Sequence, residues 1–300
     1  MNFRNRNFVS LHDFSKEEIE HVFKTADSIH EKKDICAGKI LATLFYEPST
    51  RTRLSFESAM HRLGGNVIGF TDIATTSVKK GETIADTGRS VECYSDIIVL
   101  RHPDDGAAKI MADYTKVPII NGGDGSHQHP TQTLLDMYTI RQELGKLKGL
   151  KIGICGDLKY GRTAHSLAEG LSLYNNEFIF ASPEELKLPD YAKRKLDEKN
   201  IKYEEKRELK DTLDVDVLYM TRIQKERFHD PIEYERVKNN TILTKELGQK
   251  TNALIMHPLP RVNEIAYEID EKQNAAYFRQ MKYGVTVRMA LISLLLGVVE

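Results

Sequence analysis

Two α/β domains, each a parallel sheet with helices on both faces and a site in the cleft between them, are what this sequence predicts. Three observations carry the expectation. Short apolar runs of strand length recur at 40–46, 67–70, 97–100, 117–120, 152–155, 178–181, 215–220 and 253–256. Polar loops rich in Gly, Pro, Ser or Thr and then helix-spaced stretches follow them, an alternation that builds parallel sheets covered on both sides. The length of 300 residues is about twice that of an average domain. Eight strand–helix units also satisfy a single (β/α)₈ barrel, which periodicity alone leaves open. Two open sheets are favoured because 131–146 reads as one long helix and Lys146-Leu147-Lys148-Gly149 then looks like a restart before a fresh strand.

In chain order, Ser15-Lys16-Glu17-Glu18 is a capping box, and Ile19, Val22, Phe23, Ala26 and Ile29 behind it repeat at helical spacing. After the first strand run, Leu54, Ser58 and Ala59 open a helical stripe that Gly64-Gly65 closes. The stretch 184–214, dense in Lys, Glu and Asp, reads as a solvated helical face. The run 290–299 is about half of what a membrane-spanning helix needs and reads as a buried C-terminal helix. There is no internal repeat or low-complexity segment.

Composition narrows the class. With 43 basic and 44 acidic residues the formal charge is −1, so no overall field recruits nucleic acid or an acidic membrane, and any anion specificity is local. Cys36, Cys93 and Cys155 lie far apart with no C-x-x-C pair, which suits a reducing cytoplasm better than a disulfide or zinc framework. No apolar h-region follows Met1-Asn2-Phe3-Arg4, against a signal peptide, and none of the ten histidines forms a ligand pair. No metal and no cofactor are expected.

The chemistry collects where strands end. The first run leads into Glu47-Pro48-Ser49-Thr50-Arg51-Thr52-Arg53, the third into Arg101-His102-Pro103, and the fourth into Asn121-Gly122-Gly123-Asp124-Gly125-Ser126-His127-Gln128-His129-Pro130-Thr131-Gln132. Further on, Gly156-Asp157-Leu158-Lys159-Tyr160-Gly161-Arg162, Thr221-Arg222-Ile223-Gln224-Lys225-Glu226-Arg227 and His257-Pro258-Leu259-Pro260-Arg261 occupy the same kind of position. Ligands of parallel α/β sheets bind beyond the carboxyl ends of the strands. Ser49-Thr50-Arg51-Thr52, at a strand-to-helix junction, combines free amides, three hydroxyls and a guanidinium into a phosphate cradle. A plain helix cap with Arg51 in a surface ion pair uses the same residues. Arg101, His129, Arg162 and Arg222 at other strand ends weigh against it, since they hold more positive charge than one phosphate requires.

Two familiar sites are disfavoured. Gly153-Ile154-Cys155-Gly156 is not the dinucleotide fingerprint, and Lys159 and Arg162 fill the loop that a pyrophosphate turn needs small. No G-x-S-x-G elbow supports a serine nucleophile, and Cys155, inside a strand run, reads as core.

Taken together these motifs resemble the carbamoyltransferase family over essentially the whole chain, and within it the catalytic chains of the aspartate branch. Ser49-Thr50-Arg51-Thr52-Arg53 resembles the carbamoyl-phosphate signature of the family. Ser77-Val78-Lys79-Lys80-Gly81-Glu82, Arg101-His102-Pro103 and His129-Pro130-Thr131-Gln132 match as well. The ornithine branch carries a cysteine where this chain has Pro258, and a Ser-Met-Gly loop where it has Thr221-Arg222-Ile223-Gln224.

The resemblance implies transfer of the carbamoyl group of carbamoyl phosphate to the amino group of L-aspartate, giving N-carbamoyl-L-aspartate and phosphate, an early step of de novo pyrimidine biosynthesis. It implies a carbamoyl-phosphate-binding domain over 1–132 with 285–300 and an aspartate-binding domain over 133–284. Ser49, Thr50, Arg51, Thr52 and Arg101 then hold the phosphate. Thr52, Arg101 and His129 face the carbamoyl oxygen, while Gln132 and the carbonyls of Leu259 and Pro260 accept from the carbamoyl amide. Arg162 takes the α-carboxylate of aspartate, and Arg222 with Gln224 the β-carboxylate. Ser77 and Lys80, on a loop with no obvious strand before it, cross into a neighbour's site within a homotrimer. Arg101-His102-Pro103-Asp104-Asp105-Gly106-Ala107-Ala108 resembles catalytic chains that assemble with a separate regulatory chain. A carbamoyltransferase for another amino acid, such as ornithine, and a non-catalytic anion-binding paralogue are the rival readings.

Overall fold

The computed structural model describes the chain except residues 73–75, 126–127 and 229, together with the side chains of Glu226 and Pro231. Of the motif residues singled out above, Ser126, His127 and the Glu226 side chain therefore lie outside the described set. The chain divides into two compact units, Met1–Leu135 with Met281–Glu300, and Asp136–Gln280.

Unit 1 holds strands β1 (Ile40–Phe45), β2 (Asn66–Phe70), β3 (Ile97–His102) and β4 (Ile119–Asp124). They are all parallel, in the order β2-β1-β3-β4. Unit 2 holds β5 (Lys151–Cys155), β6 (Glu177–Ala181), β7 (Tyr203–Lys206), β8 (Val217–Met220) and β9 (Leu254–Met256), also parallel, in the order β7-β6-β5-β8-β9. Two open sheets replace the single closed barrel that periodicity left open.

Alternation explains why both faces are covered. In unit 1, Ala42, Leu44, Ile98 and Leu100 pack with Ala107, Ala108 and Met111 of α4 (Ala107–Tyr114). Their neighbours Leu41, Phe45, Ile97 and Val99 point the other way and are equally buried. In unit 2, Cys155, Leu218, Met220 and Ile255 pack with Leu243, Ile265 and Ile269, while Ile152, Ile154, Val217 and Tyr219 fill the opposite face. Cys155 is core as expected, its thiol pushed up to about 12 by burial.

The capping box forms as the sequence requires. The Glu18 amide donates to Ser15 Oγ and the Ser15 amide to Glu18 Oε2, opening α1 (Lys16–Ser28). Ile19, Val22, Phe23, Ala26 and Ile29 are all buried. In α2 (Thr50–Arg62) the buried face is Thr52, Phe56, Ala59 and Met60; Leu54 is 51% exposed, so the expected stripe is one turn-face out of register. Gly64, at φ +81, closes the helix. The C-terminal run belongs to α10 (Tyr277–Leu296), where Arg288 donates to Ser55 Oγ and covers the Phe56 ring. The chain passes between units within α5 (Pro130–Leu144), the long helix expected at 131–146, and within α10.

Three expectations change. Arg101 and His102 are strand residues, as are Asn121 to Asp124, because hydrogen bonding to β1 and between β3 and β4 carries both strands past their apolar runs. The tract 184–214 is not one helical face. It holds α7 (Asp190–Asp197) and the edge strand β7, whose Tyr-Glu-Glu-Lys sequence is masked by charge because one edge faces water. Finally, β2 ends at Phe70, shortly ahead of the Ser77–Lys80 turn, so that loop does follow a strand. Among the described residues no helix is long and apolar enough to cross a membrane.

Candidate active site

In each sheet the strand order reverses once, and the crevice at that reversal is where an open α/β sheet receives a ligand. In unit 1 the reversal lies between β1 and β3. Phe45 is in register with Arg101, and the Tyr46 amide donates to the Arg101 carbonyl at 2.8 Å. Just beyond β1, Ser49 is the N-cap of α2, yet its side chain does not cap the helix. First-turn amides of a helix have no carbonyl partner of their own, so Thr50, Arg51 and Thr52 present N–H groups and hydroxyls to whatever anion arrives. Thr52 is buried, Ser49 half-buried, and Thr50 and Arg51 exposed.

Arg101 is held from two sides. Its Nη1 donates to the Gly122 carbonyl at 3.0 Å, and Nη2 pairs with Glu47 Oε1 at 2.6 Å. The neighbouring His102 is buried against the Tyr46 ring, 4.6 Å between centroids, and its Nδ1 accepts from the Asp104 amide. Burial lowers its pKa, so the imidazole is neutral. At the end of β4, Asp124 accepts from the Gly106 amide and from Asn121 Nδ2, fastening the edge beside β3. His129 is buried, with Thr131 Oγ1 3.4 Å from its Nδ1, and its carbonyl accepts from the amides of Gln132 and Thr133 at the start of α5. Gln132 is buried as well.

Ser77 and Lys80 stand apart. They occupy an exposed 3₁₀ turn closed by Gly81 at φ +92. Among the described residues no hydrogen bond or ion pair ties them to Arg51 or Arg101.

In unit 2 the reversal lies between β5 and β8, and there the two loops are tied together. Asp157 follows β5 and is fully buried; Oδ1 accepts from the Tyr160 amide at 2.9 Å and Oδ2 from the Gln224 amide at 3.4 Å. Gln224 Nε2 in turn donates to the Tyr160 carbonyl at 3.2 Å. Burial pushes the Asp157 carboxyl up to about 6, against the pull of these amides and of the Arg222 charge. The crossing is tight enough to demand glycine. A Cβ on Gly156, at φ +122, would collide with the Thr221 carbonyl, and one on Gly161 with the Asp157 carbonyl. Arg162 opens α6 (Arg162–Ser172) at one end of this tie, and Arg222 lies just beyond β8 at the other.

The third loop of unit 2 is clamped from below. The His257 amide donates to Gln280 Oε1, whose Nε2 donates to Asp136, which also accepts from the Tyr219 hydroxyl at 2.7 Å. The Leu259 amide donates to His257 Nδ1 at 2.7 Å, so that nitrogen carries no proton and Nε2–H donates to Glu264 Oε1. Burial lowers the His257 pKa. Burial alone would raise Glu264, but the His257 contact and the Val262 amide hold it below the usual range. Leu259, at φ +56, precedes a cis Pro260.

Residue reading names Glu47 and Asp157 without a role, and the structure gives them partners in Arg101 and in the Tyr160 and Gln224 amides. Their signal is an acid placed immediately after an apolar strand, in a loop otherwise built of cations and hydroxyls. Among the described residues no group of three or more His, Cys, Asp or Glu could hold a metal ion.

Comparison with known proteins finds two family profiles, one over most of each unit, although the second runs on into the part of α10 that belongs to unit 1. The profile described as aspartate/ornithine carbamoyltransferase, carbamoyl-P binding domain, matches residues 6–142. The profile for the Asp/Orn binding domain of the same family matches residues 148–295. The chain belongs to the aspartate/ornithine carbamoyltransferase family. Its relatives in that family include the aspartate carbamoyltransferase catalytic subunit of Clostridium botulinum (strain Okra / Type B1), 57% identical over 304 residues, 98% of this chain and 99% of the other. The catalytic subunit of M. jannaschii aspartate transcarbamoylase superposes with a TM-score of 0.91 at 54% identity, covering 96% of this chain and 97% of that one. Aspartate transcarbamoylase from Trypanosoma cruzi, in complex with carbamoyl phosphate, gives a TM-score of 0.92 at 35% identity, covering 98% and 97%.

Proposed function

We propose that this carbamoyltransferase carbamoylates L-aspartate, consuming carbamoyl phosphate and releasing N-carbamoyl-L-aspartate and phosphate, an early step of de novo pyrimidine synthesis. The observation that carries the choice of amino acid is the pair Arg162 and Arg222, at neighbouring strand ends of the unit 2 reversal. Aspartate brings two carboxylates where ornithine brings one, and two guanidinium groups answer that count. The kinship with aspartate carbamoyltransferase catalytic subunits supports the same choice.

In this reading residues 1–132 with 285–300 bind carbamoyl phosphate and 133–284 bind aspartate. Ser49, Thr50, Arg51, Thr52 and Arg101 take the phosphate, with Ser77 and Lys80 added by a neighbour in a homotrimer. Thr52, Arg101 and His129 donate to the carbamoyl oxygen, and Gln132 and the carbonyls of Leu259 and Pro260 accept from its amide. Arg162 takes the α-carboxylate of aspartate, Arg222 and Gln224 the β-carboxylate, and Lys80 and Leu259 also line the amino-acid subsite. Assembly with a separate regulatory chain and a cytoplasmic location complete the proposal.

The reaction forms one C–N bond and breaks one C–O bond to phosphorus-bound oxygen. The neutral amine attacks the carbamoyl carbon, negative charge grows on the carbonyl oxygen, and phosphate departs with the amine proton. Rate comes from holding the partners in line and from fixed donors aimed at the growing charge. Arg101 suits that role because the Gly122 carbonyl and Glu47 fix its guanidinium beside the end of β1 before the substrate arrives. A phosphate must compete with Glu47 for the same guanidinium. The deciding assay offers carbamoyl phosphate with either aspartate or ornithine and measures the ureido product. Product from aspartate alone is expected; product from ornithine alone, or from neither, overturns the reading.

A further inference from the structure

His165 lies on α6 three residues after Arg162, and the roles above leave it unused. Its Nε2 is 2.6 Å from the carbonyl of Leu158, inside the very loop that Asp157 and Gln224 tie. Its Nδ1 is 3.0 Å from the hydroxyl of Tyr191, on the first turn of α7. A carbonyl can only accept, so Nε2 carries the proton and donates to Leu158, and the Tyr191 hydroxyl donates to the bare Nδ1. Burial and the Lys195 charge lower the His165 pKa, against Leu158 and Glu169, so this neutral form is the one present.

The geometry has a consequence for Arg162. The Leu158 amide donates to the Leu186 carbonyl, the Leu158 side chain is buried, and the Arg162 amide donates to the Tyr160 carbonyl. One end of the 157–162 loop is thus fastened to Leu186, on the turn Glu184–Leu186, and the other runs into α6. The imidazole is a side-chain bridge from α6 back to Leu158 in that loop. We propose that His165, oriented by Tyr191, is a positioning residue that fixes the Asp157–Arg162 loop and thereby sets the affinity for the amino-acid substrate. It touches no substrate itself. The inference rests on the assignment of Arg162 to the aspartate carboxylate.

Removing the imidazole strands a buried carbonyl, a loss that shifts a local equilibrium by about ten- to a hundredfold. The loop belongs to unit 2, whereas the phosphate set belongs to unit 1, so the effect should divide between the two substrates. The experiment uses the full-length protein and initial rates over both substrates, for wild type, His165→Ala, His165→Gln and Tyr191→Phe. A glutamine amide reaches the place of Nε2 and can donate to Leu158. Expected are an aspartate KM raised about ten- to a hundredfold in His165→Ala, with kcat and the carbamoyl phosphate KM within about threefold of wild type. His165→Gln should return aspartate KM to within about threefold, and Tyr191→Phe, at an exposed residue, should raise it about five- to tenfold. Equal changes in both KM values, a fall in kcat alone, or no rescue by glutamine overturns the proposal. If His165→Ala does not fold, His165→Gln and Tyr191→Phe decide alone: a normal aspartate KM in Tyr191→Phe overturns it. Hydrogen exchange of peptides covering 157–162 separates this proposal from the aspartate reading. Were the wild type inactive on aspartate, that reading would fail, while faster exchange in Tyr191→Phe than in wild type would still support the positioning role and unchanged exchange would remove it.

Discussion

Arg101 sits inside strand β3 and is gripped by its own neighbours, Glu47 on one side and the Gly122 carbonyl on the other. Arg162 and Arg222 stand past the ends of β5 and β8, and their loops are joined through a buried carboxylate, Asp157, that bonds backbone rather than guanidinium. The cations of unit 1 are also dispersed over unlike elements. Arg51 is exposed on a helix turn and Lys80 on a separate 3₁₀ turn. Under the proposed assignment, the phosphate is met by charges brought from independent directions, which its terminal oxygens, equivalent and spread in space, allow. A dicarboxylic amino acid must be told from its neighbours by the spacing of two carboxylates, and that requires two loops locked to each other.

The largest effect would break or secure the dispersed half of this contrast. If Lys80 serves a neighbour's site, Arg51→Ala and Lys80→Ala are each almost inactive, because every site lacks one partner. Dissociated, mixed in equal amounts and reassembled, they should regain activity in about a quarter of all sites, by counting arrangements in a three-fold ring. Verified hybrids as inactive as their parents would return Lys80 to its own surface.

Next comes the locked half. Arg222→Ala should lower kcat/KM for aspartate by about 2–5 kcal/mol in transition-state terms and leave carbamoyl phosphate binding close to wild type. A variant that lost carbamoyl phosphate affinity and kept its aspartate constant would reverse the assignment of the two units.

His129→Ala tests the rigid donors of unit 1. Its kcat should fall by about 10²–10³-fold, with phosphate inhibition preserved by Arg51 and Arg101. An unchanged turnover number would take His129 out of the reaction.

The smallest and most specific effect concerns the tie itself. Asp157 titrates at about 6 in the folded chain, above its ordinary 3.8. With the folded value raised, the folded state holds the extra proton between those values, so stability from this group falls as pH rises through that window. Function runs the other way. Protonation below about 6 turns one acceptor into a donor facing an amide, so the aspartate KM should rise a few-fold as pH falls through 6. Asp157→Asn should show that raised KM at every pH and lose this inflection, in initial rates compared between pH 5 and 8. An inflection that survives in the asparagine variant belongs to another group.

Residue reading alone determined the parallel α/β class, eight of the nine strands and the capping box, and it singled out the strand-end loops from which the candidate site is drawn. Strands buried on both faces write themselves as continuous apolar runs, and the residues after them are polar because they face a ligand. The edge strand β7, Tyr203–Lys206, escaped because a strand with one open edge needs charge to resist pairing, and charge hides the pattern. The polar ends of β3 and β4 escaped for a related reason: Arg101 and Asn121 are strand residues only by virtue of Phe45 and Leu100 beside them. Only tertiary structure decided the strand orders, and with them which two loops of each sheet flank the reversal. It alone made Asp157 the link between the Arg162 and Arg222 loops, and Glu47 the counter-ion of Arg101. Local pattern records which way a side chain faces, whereas pairing between strands distant in the chain depends on contacts that no short stretch of sequence contains.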